Sequence, residues 1–370
     1  MRRHWLDNLR WATVVSVLIY HVFYYYNNKG VAGGIGGFGG SQPQDVVLYV
    51  LYPWFMMLLF LVAGISARYA LSGQTTREFV RSRTLKLIVP STIGLFVFQW
   101  ITGYYNTLAA EVVNGIDIFS SIPEPARGVA TYLISAVSGQ GPLWFAQDLW
   151  LFSMLLLLLR RLDKGDKLWN KCKSCNKWWI VLAIVPVWLG AQTMIQNPNP
   201  ESMEPILNLY RPLSYIVPFL LGYYLFSHDE VMEQVVAMRR PVWVVAVVSG
   251  VVLVATTFGE NYAAPDYLGS VLTNLYAYSA ILGLLALFKV KFDRTGKFAG
   301  YMTRSSFGFY VTHYVIIASL GYTLKMSTSL PPVAIYSLMT AAVVLGTPLL
   351  YEILRRIPFV RWCVYGIKSK

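Results

Sequence analysis

Charged residues, histidines and cysteines are all scarce in this chain. Only 13% of its 370 residues are charged, against roughly a quarter in soluble domains, which excludes an ordinary water-exposed globular protein. The three cysteines, Cys172, Cys175 and Cys363, cannot form a disulfide framework. Cys172 and Cys175 make a CxxC in KCKSCNK, but a zinc site needs four ligands. Only the distant Cys363, His4 or His228 could complete one, so no metal is expected and the pair reads as incidental. Strand-length alternation is absent, which removes the membrane β-barrel. There is no internal repeat and no soluble segment of domain size. The glycine-rich loop KGVAGGIGGFGGSQPQD matches no phosphate-binding pattern. No small-residue cleavage site follows the first apolar block, so that block reads as a retained span and not as a signal peptide.

What is present is apolar and comes in long blocks. Hydrophobic residues make up 56% of the chain, in stretches of about twenty, the length that crosses a hydrocarbon core as a helix. The expected fold is all-α: one polytopic membrane domain over residues 1–370. Ten spans are predicted near 9–26, 45–71, 85–106, 141–160, 178–195, 210–227, 241–258, 268–288, 305–324 and 333–354. A short interfacial helix is expected at 129–138, within the longest connection.

The net charge of +13 is a topology signal. With the N-terminus cytoplasmic, all but four of the 31 basic residues fall in inside segments. The exceptions are Lys29, Arg127, Arg211 and Lys325. Acidic Glu111, Asp117, Glu124, Glu201, Glu204, Glu260 and Asp266 fall outside. The alternation follows the positive-inside rule, puts both termini in the cytoplasm, and leaves no reason to invoke nucleic acid.

Ionisable residues inside spans are costly and mark candidate function. Asp7, Arg10 and His21 lie on the first helix. Eleven residues at 100° each bring Arg10 and His21 within about 20° of one another, with a rise of roughly 16 Å. Arg10 is then at the cytoplasmic mouth and His21 beyond the middle of the membrane. An imidazole there suits general-base work, although a structural histidine and a snorkelling arginine would look the same. Asp7 and Arg10, three apart, are expected to pair. His313, near the middle of the ninth span, is either a site residue or an interhelical hydrogen bond. His4 and His228 are expected to meet water. Asp148 could bond an acceptor sugar, or serve as a helix cap or in a water-filled cavity. Arg81, Arg83 and Lys86 precede Pro90 and could grip phosphate, or be ordinary inside charge.

The pieces WLDNLRWATVVSVLIYH, SRTLKLIVP, GPLWF and SFGFYVTH stand in an order that resembles acyltransferase family 3, whose first helix carries Arg, ten residues, then His. The tail LYEILRRIP looks like the glucan biosynthesis protein C branch, which succinylates periplasmic glucans. This resemblance implies transfer of an acetyl or succinyl group from cytosolic acyl-CoA to a hydroxyl of a carbohydrate or envelope acceptor, in the inner membrane and with no permanently bound cofactor. Arg10 and His21 would be the essential pair. Trp144 matches the tryptophan of GPLWF and His313 the histidine of the penultimate helix. Arg83 and Lys86 stand where the family usually has two arginines, and Pro142 stands where it often has histidine. From the residues alone the rival is a secondary transporter, which would bring internal repeats and paired interrupted helices.

Overall fold

The computed structural model describes residues 3–27, 29, 34–115, 117–196 and 209–367. Residues 30–33 of the glycine-rich loop, the acids Glu201 and Glu204, and the terminal cations Arg2, Lys368 and Lys370 lie outside the described residues. Everything regular among the described residues is helical.

The chain order begins with α1 (His4–Tyr24), α2 (Val46–Leu51), α3 (Phe55–Gly73) and α4 (Thr76–Arg83). A π-helical turn, Thr84–Ile88, leads into α5 (Val89–Ser91), and a second, Leu95–Gln99, leads into α6 (Trp100–Asn114). Next come α7 (Arg127–Ser138), α8 (Trp144–Leu162), α9 (Lys167–Cys172), α10 (Lys177–Leu182), α11 (Ile184–Gln196) and α12 (Pro212–Tyr224). The last third holds α13 (Asp229–Ala237), α14 (Arg239–Thr257), α15 (Pro265–Gly269), α16 (Val271–Lys291), α17 (Lys297–Ser327), α18 (Pro332–Leu354) and α19 (Pro358–Tyr365). A short helix is found near the expected 129–138, as α7.

Local sequence explains many of these boundaries. Thr75 and Glu78 close a capping box at the start of α4. The Ser270 hydroxyl accepts from Thr273 N at 3.1 Å to start α16. Proline occupies the first turn of α12, α15, α18 and α19, where its missing N–H costs nothing.

Among the described residues, eight helical segments are long and apolar enough to cross a membrane. They account for eight of the ten predicted spans. The other two fall short for identifiable reasons. Asp7, Asn8, Arg10 and His21 lower the hydropathy of α1, and α12 has only 13 residues, roughly 20 Å against a core of about 30 Å. Both are interior helices. α1 packs among α3, α16, α17 and α18, and α12 lies against α3 and α11. The outermost helices show the opposite pattern: α14 exposes Val244, Val247, Val248 and Val251, and α18 exposes Leu345 and Leu349. Broad apolar exposure of this kind is a lipid-facing surface.

Two contacts fix the frame around the site. Gly64 of α3 and Gly222 of α12 lie where any Cβ would collide with the backbone of the facing helix, at Phe219 and Leu61 respectively. Such small residues let helix backbones touch. On the other side of α1, the Tyr25 hydroxyl donates to Ala318 O at 3.2 Å and the Tyr26 hydroxyl to Gly321 O at 2.7 Å, pinning α1 to α17.

His228 departs from expectation. It is 3% exposed, stacked on Trp169 with ring centroids 4.1 Å apart, and its Nε2 lies 2.8 Å from Trp169 O. Burial holds this imidazole below its ordinary pKa. The reason is local: Arg68, anchored to Asp166 at 2.9 Å, lies over the Trp169 ring at 3.7 Å and adds to the cluster that buries His228. Beside it, Arg3 and Lys289 both bridge Asp229, and the Arg3 hydrogen bond holds that carboxylate below its usual range.

Candidate active site

The first element of the site is a cluster of cations. Arg10 Nη2 contacts Asp7 Oδ1 at 2.7 Å, the expected i, i+3 pair. Arg83 and Lys86 lie within Coulombic range of Arg10, so three positive charges from α1, α4 and the first π turn converge. The π turn starts one residue after Arg83 and contains Lys86. Its wider pitch changes the direction in which successive side chains leave the axis, and such turns often mark functional positions. Pro90, which cannot donate to the helix ladder, follows directly. Trp150 Nε1 donates to Thr84 Oγ1 at 3.0 Å and ties α8 to this turn. Arg81 is exposed.

Along the same face of α1 stands the second element. His313 Nε2 is 3.1 Å from His21 Nδ1. His313 Nδ1 lies 2.7 Å from Tyr310 O, and His21 Nδ1 lies 2.9 Å from Val17 O. Carbonyls only accept, so each Nδ1 carries hydrogen. His313 Nε2 is then a lone pair facing His21 Nδ1–H, and His21 Nε2 is left as a lone pair with no hydrogen bond to the described protein. His313 is fully buried, whereas His21 keeps part of its surface open.

The two histidines are held by their surroundings. The rings of Tyr20, Tyr24 and Tyr314 meet His21 edge-on, at 5.1, 5.8 and 5.3 Å. Gln99, in the second π turn, donates to Val311 O at 2.6 Å, two residues before His313. Both π turns therefore feed the site, one through Lys86 and one through this clamp on α17.

The third element is an aromatic wall. Tyr20 neighbours Tyr52 at 5.4 Å and Tyr262 at 6.4 Å, and the Tyr52 and Tyr210 hydroxyls are 3.1 Å apart. Trp144 packs on Tyr210 at 4.8 Å and on Tyr215 at 5.5 Å. Asp148, one turn beyond Trp144, is fully buried, and the Tyr210 backbone is a polar partner of its carboxylate. Tyr215 and Tyr310 lie close to it. Arg211 crosses the Tyr210 ring at 4.8 Å and donates to Ala263 O at 2.8 Å.

Of the residues singled out by sequence, the fold thus unites Arg10, Asp7, Arg83 and Lys86 at one place and His21 with His313 at another. Trp144 and Asp148 share a face of α8 against the tyrosines. Sequence reasoning passed over Tyr20, Tyr52, Tyr210, Tyr215, Tyr262 and Arg211. Their only signal was the count of 25 tyrosines, high for a membrane protein. Among the described residues no group of three or more His, Cys, Asp or Glu side chains could hold a metal.

This pattern of helices and site residues coincides with a family match: the profile of an acyltransferase domain, that of acyltransferase family 3, aligns with residues 3–352. The chain belongs to acyltransferase family 3. Membership makes it a membrane-bound transferase of acyl groups. No curated protein matches it, and no solved structure does. Within this acyltransferase the matched region runs from the base of α1 to the last turns of α18, and contains every residue of the three elements above.

Proposed function

We propose that this acyltransferase moves an acetyl or succinyl group from cytosolic acyl-CoA to a hydroxyl of a carbohydrate or other envelope acceptor on the far side of the inner membrane. The distribution of basic residues supports both termini in the cytoplasm, with α1 and α12 completing ten crossings. Acyl-CoA then approaches from the side of Arg10. Its diphosphate rests among Arg10, Arg83 and Lys86, with Asp7 aiming the Arg10 guanidinium. Its slender pantetheine arm follows α1 for roughly 16 Å to the depth of His21.

The observation that carries this reading is the state of His21. Its Nδ1–H is committed to Val17 O and His313 Nε2, so Nε2 is available as a base on the same helix face as Arg10. In the reaction His21 Nε2 takes the proton of the acceptor hydroxyl. The hydroxyl oxygen attacks the thioester carbonyl, and the tetrahedral species collapses to an ester and CoA thiolate. The thiolate recovers the proton from the imidazolium. His313 accepts from the opposite nitrogen and keeps the tautomer correct, as an orienting partner does in hydrolytic triads. Trp144, Asp148 and the tyrosines form the acceptor side, where aromatic faces suit sugar rings and Asp148 suits sugar hydroxyls.

The tail LYEILRRIP favours succinyl, and the wider family favours acetyl. Purified protein offered each acyl-CoA with a periplasmic glucan separates them by thiol release and by the mass of the modified glycan. His21→Ala at equal folded yield is expected to abolish both. Wild-type transfer by that variant would overturn the mechanism, and solute uptake without thiol release would favour a carrier.

A further inference from the structure

A second polar site opens next to the cation cluster, and nothing above uses it. A cavity of about 450 Å³ lies between the start of α4 and the end of α8, lined by Thr76, Arg160, Arg161, Asp163 and Asp166 among others. Its acids are already engaged: Asp163 Oδ1 accepts from Leu168 N at 2.8 Å, and Asp166 Oδ2 contacts Arg68 at 2.9 Å. Arg160 and Arg161 make no ion pair among the described residues. Two unspent guanidiniums in one cavity form an anion site, and arginine matches phosphate oxygens with its planar fork.

The position of this cavity follows from the helix pairing. α8 and α4 run antiparallel, joined at the rung from Trp150 to Thr84. From that rung, Arg160 is ten residues onward along α8 and Thr76 eight residues back along α4, so both lie roughly 12–15 Å nearer the helix ends. Arg83 and Lys86 flank the rung itself. An anion in the cavity is therefore one step outward from an anion on Arg83 and Lys86, along the line that continues to His21.

Coenzyme A carries two such groups in that order, a diphosphate and, across the ribose, an adenosine 3′-phosphate. Resting on the acyl-CoA reading above, we propose that the Arg160–Arg161 cavity is the subsite for the 3′-phosphate of the donor. It would make the enzyme select coenzyme A esters over other thioesters of the same pantetheine arm.

The test compares acetyl-CoA with acetyl-3′-dephospho-CoA, which lacks only that phosphate, in phosphatidylcholine nanodiscs with and without phosphatidylglycerol. The wild type is expected to favour acetyl-CoA in kcat/KM by about tenfold or more, the scale of charge-assisted hydrogen bonds. In Arg160→Ala/Arg161→Ala that preference should collapse toward unity, and Arg160→Lys/Arg161→Lys should restore part of it. Retention of the double-alanine protein in monodisperse form guards against misfolding, and the conservative pair serves if it fails. Equal use of both donors by the wild type would overturn the subsite while leaving the proposed activity standing. So would a loss in the variant that is the same for both donors and follows the phosphatidylglycerol content, because the arginines would then serve a lipid headgroup. No transfer from either donor would instead remove the acyl-CoA reading itself, and the subsite with it.

Discussion

His313 Nε2 faces His21 Nδ1 at 3.1 Å across the contact between α1 and α17, and the Tyr310 carbonyl behind His313 decides which nitrogens carry hydrogen. The two residues are thus unequal partners: His21 keeps its Nε2 open, and His313 holds its Nδ1.

That inequality has a kinetic signature. His21→Ala is expected to remove transfer altogether. His313→Ala should lower kcat by about 10²-fold or more, with the KM for acyl-CoA nearly unchanged. The double variant should be no slower than His21→Ala alone, because groups that act as a unit are not additive. Steady-state kinetics of the three proteins check this, and an additive double variant would show that His313 acts independently.

At the Arg10 end of α1 the effects should appear in KM. Arg10→Ala and Arg83→Ala are each expected to raise the KM for acyl-CoA by about tenfold or more. Lys86→Arg restores the planar fork that the family usually places here, and should lower that KM. Arg81→Ala, on an exposed side chain, should change it less than twofold. A large effect of Arg81→Ala would mean that the donor approaches along a different face of α4.

Asp148→Ala and Trp144→Ala should act on the other substrate. The expected outcome is an acceptor KM raised by about tenfold or more, with the acyl-CoA KM within about twofold of wild type. Bisubstrate kinetics with a soluble glucan distinguish the two. If the donor KM rose instead, the aromatic wall would belong to the acyl pocket.

Acid should loosen the cluster around His228 before it reaches the apolar interior. Burial depresses the pKa of His228, so the unfolded chain binds a proton first as pH falls through its ordinary value of about 6.5. Stability is therefore lost from there downward until the folded form also protonates. Asp229, depressed by Arg3, adds a second loss beginning near its ordinary value of about 3.9 and running to lower pH. Melting of the purified protein between pH 7.5 and 5 should show the first loss. His228→Phe, which keeps an aromatic ring against Trp169, should flatten it.

Gly64→Leu and Gly222→Leu should each cost about 3 kcal/mol or more, because backbone cannot yield as a side chain does. Melting in detergent measures the loss. Gly73→Leu, with open space around it, is the control.

Several of these features were legible in the chain itself. Apolar length and basic loops located the helices, and the eleven-residue interval from Arg10 to His21 placed both on one face of what is a single uninterrupted helix. The Asp7–Arg10 pair is a local rule of helix geometry. Other features depend on contacts between distant parts of the chain. His21 and His313 meet only because α1 packs on α17, and no local pattern announces that. The tyrosines of the wall come from α1, the α2–α3 turn, the start of α12 and the segment before α15, each ordinary in its own stretch. His228 looks like a loop residue until Trp169 and Arg68 fold over it. The two π turns left no recognisable mark apart from Pro90.

The glycine seam between α3 and α12 has a mechanical meaning. Two rods joined backbone to backbone cannot slide or roll past each other, so any motion must carry them as one piece. A carrier that exposes its cargo first to one side and then to the other needs such sliding surfaces near its centre. Here α3 and α12 are joined in this way, so such sliding cannot occur between these two helices.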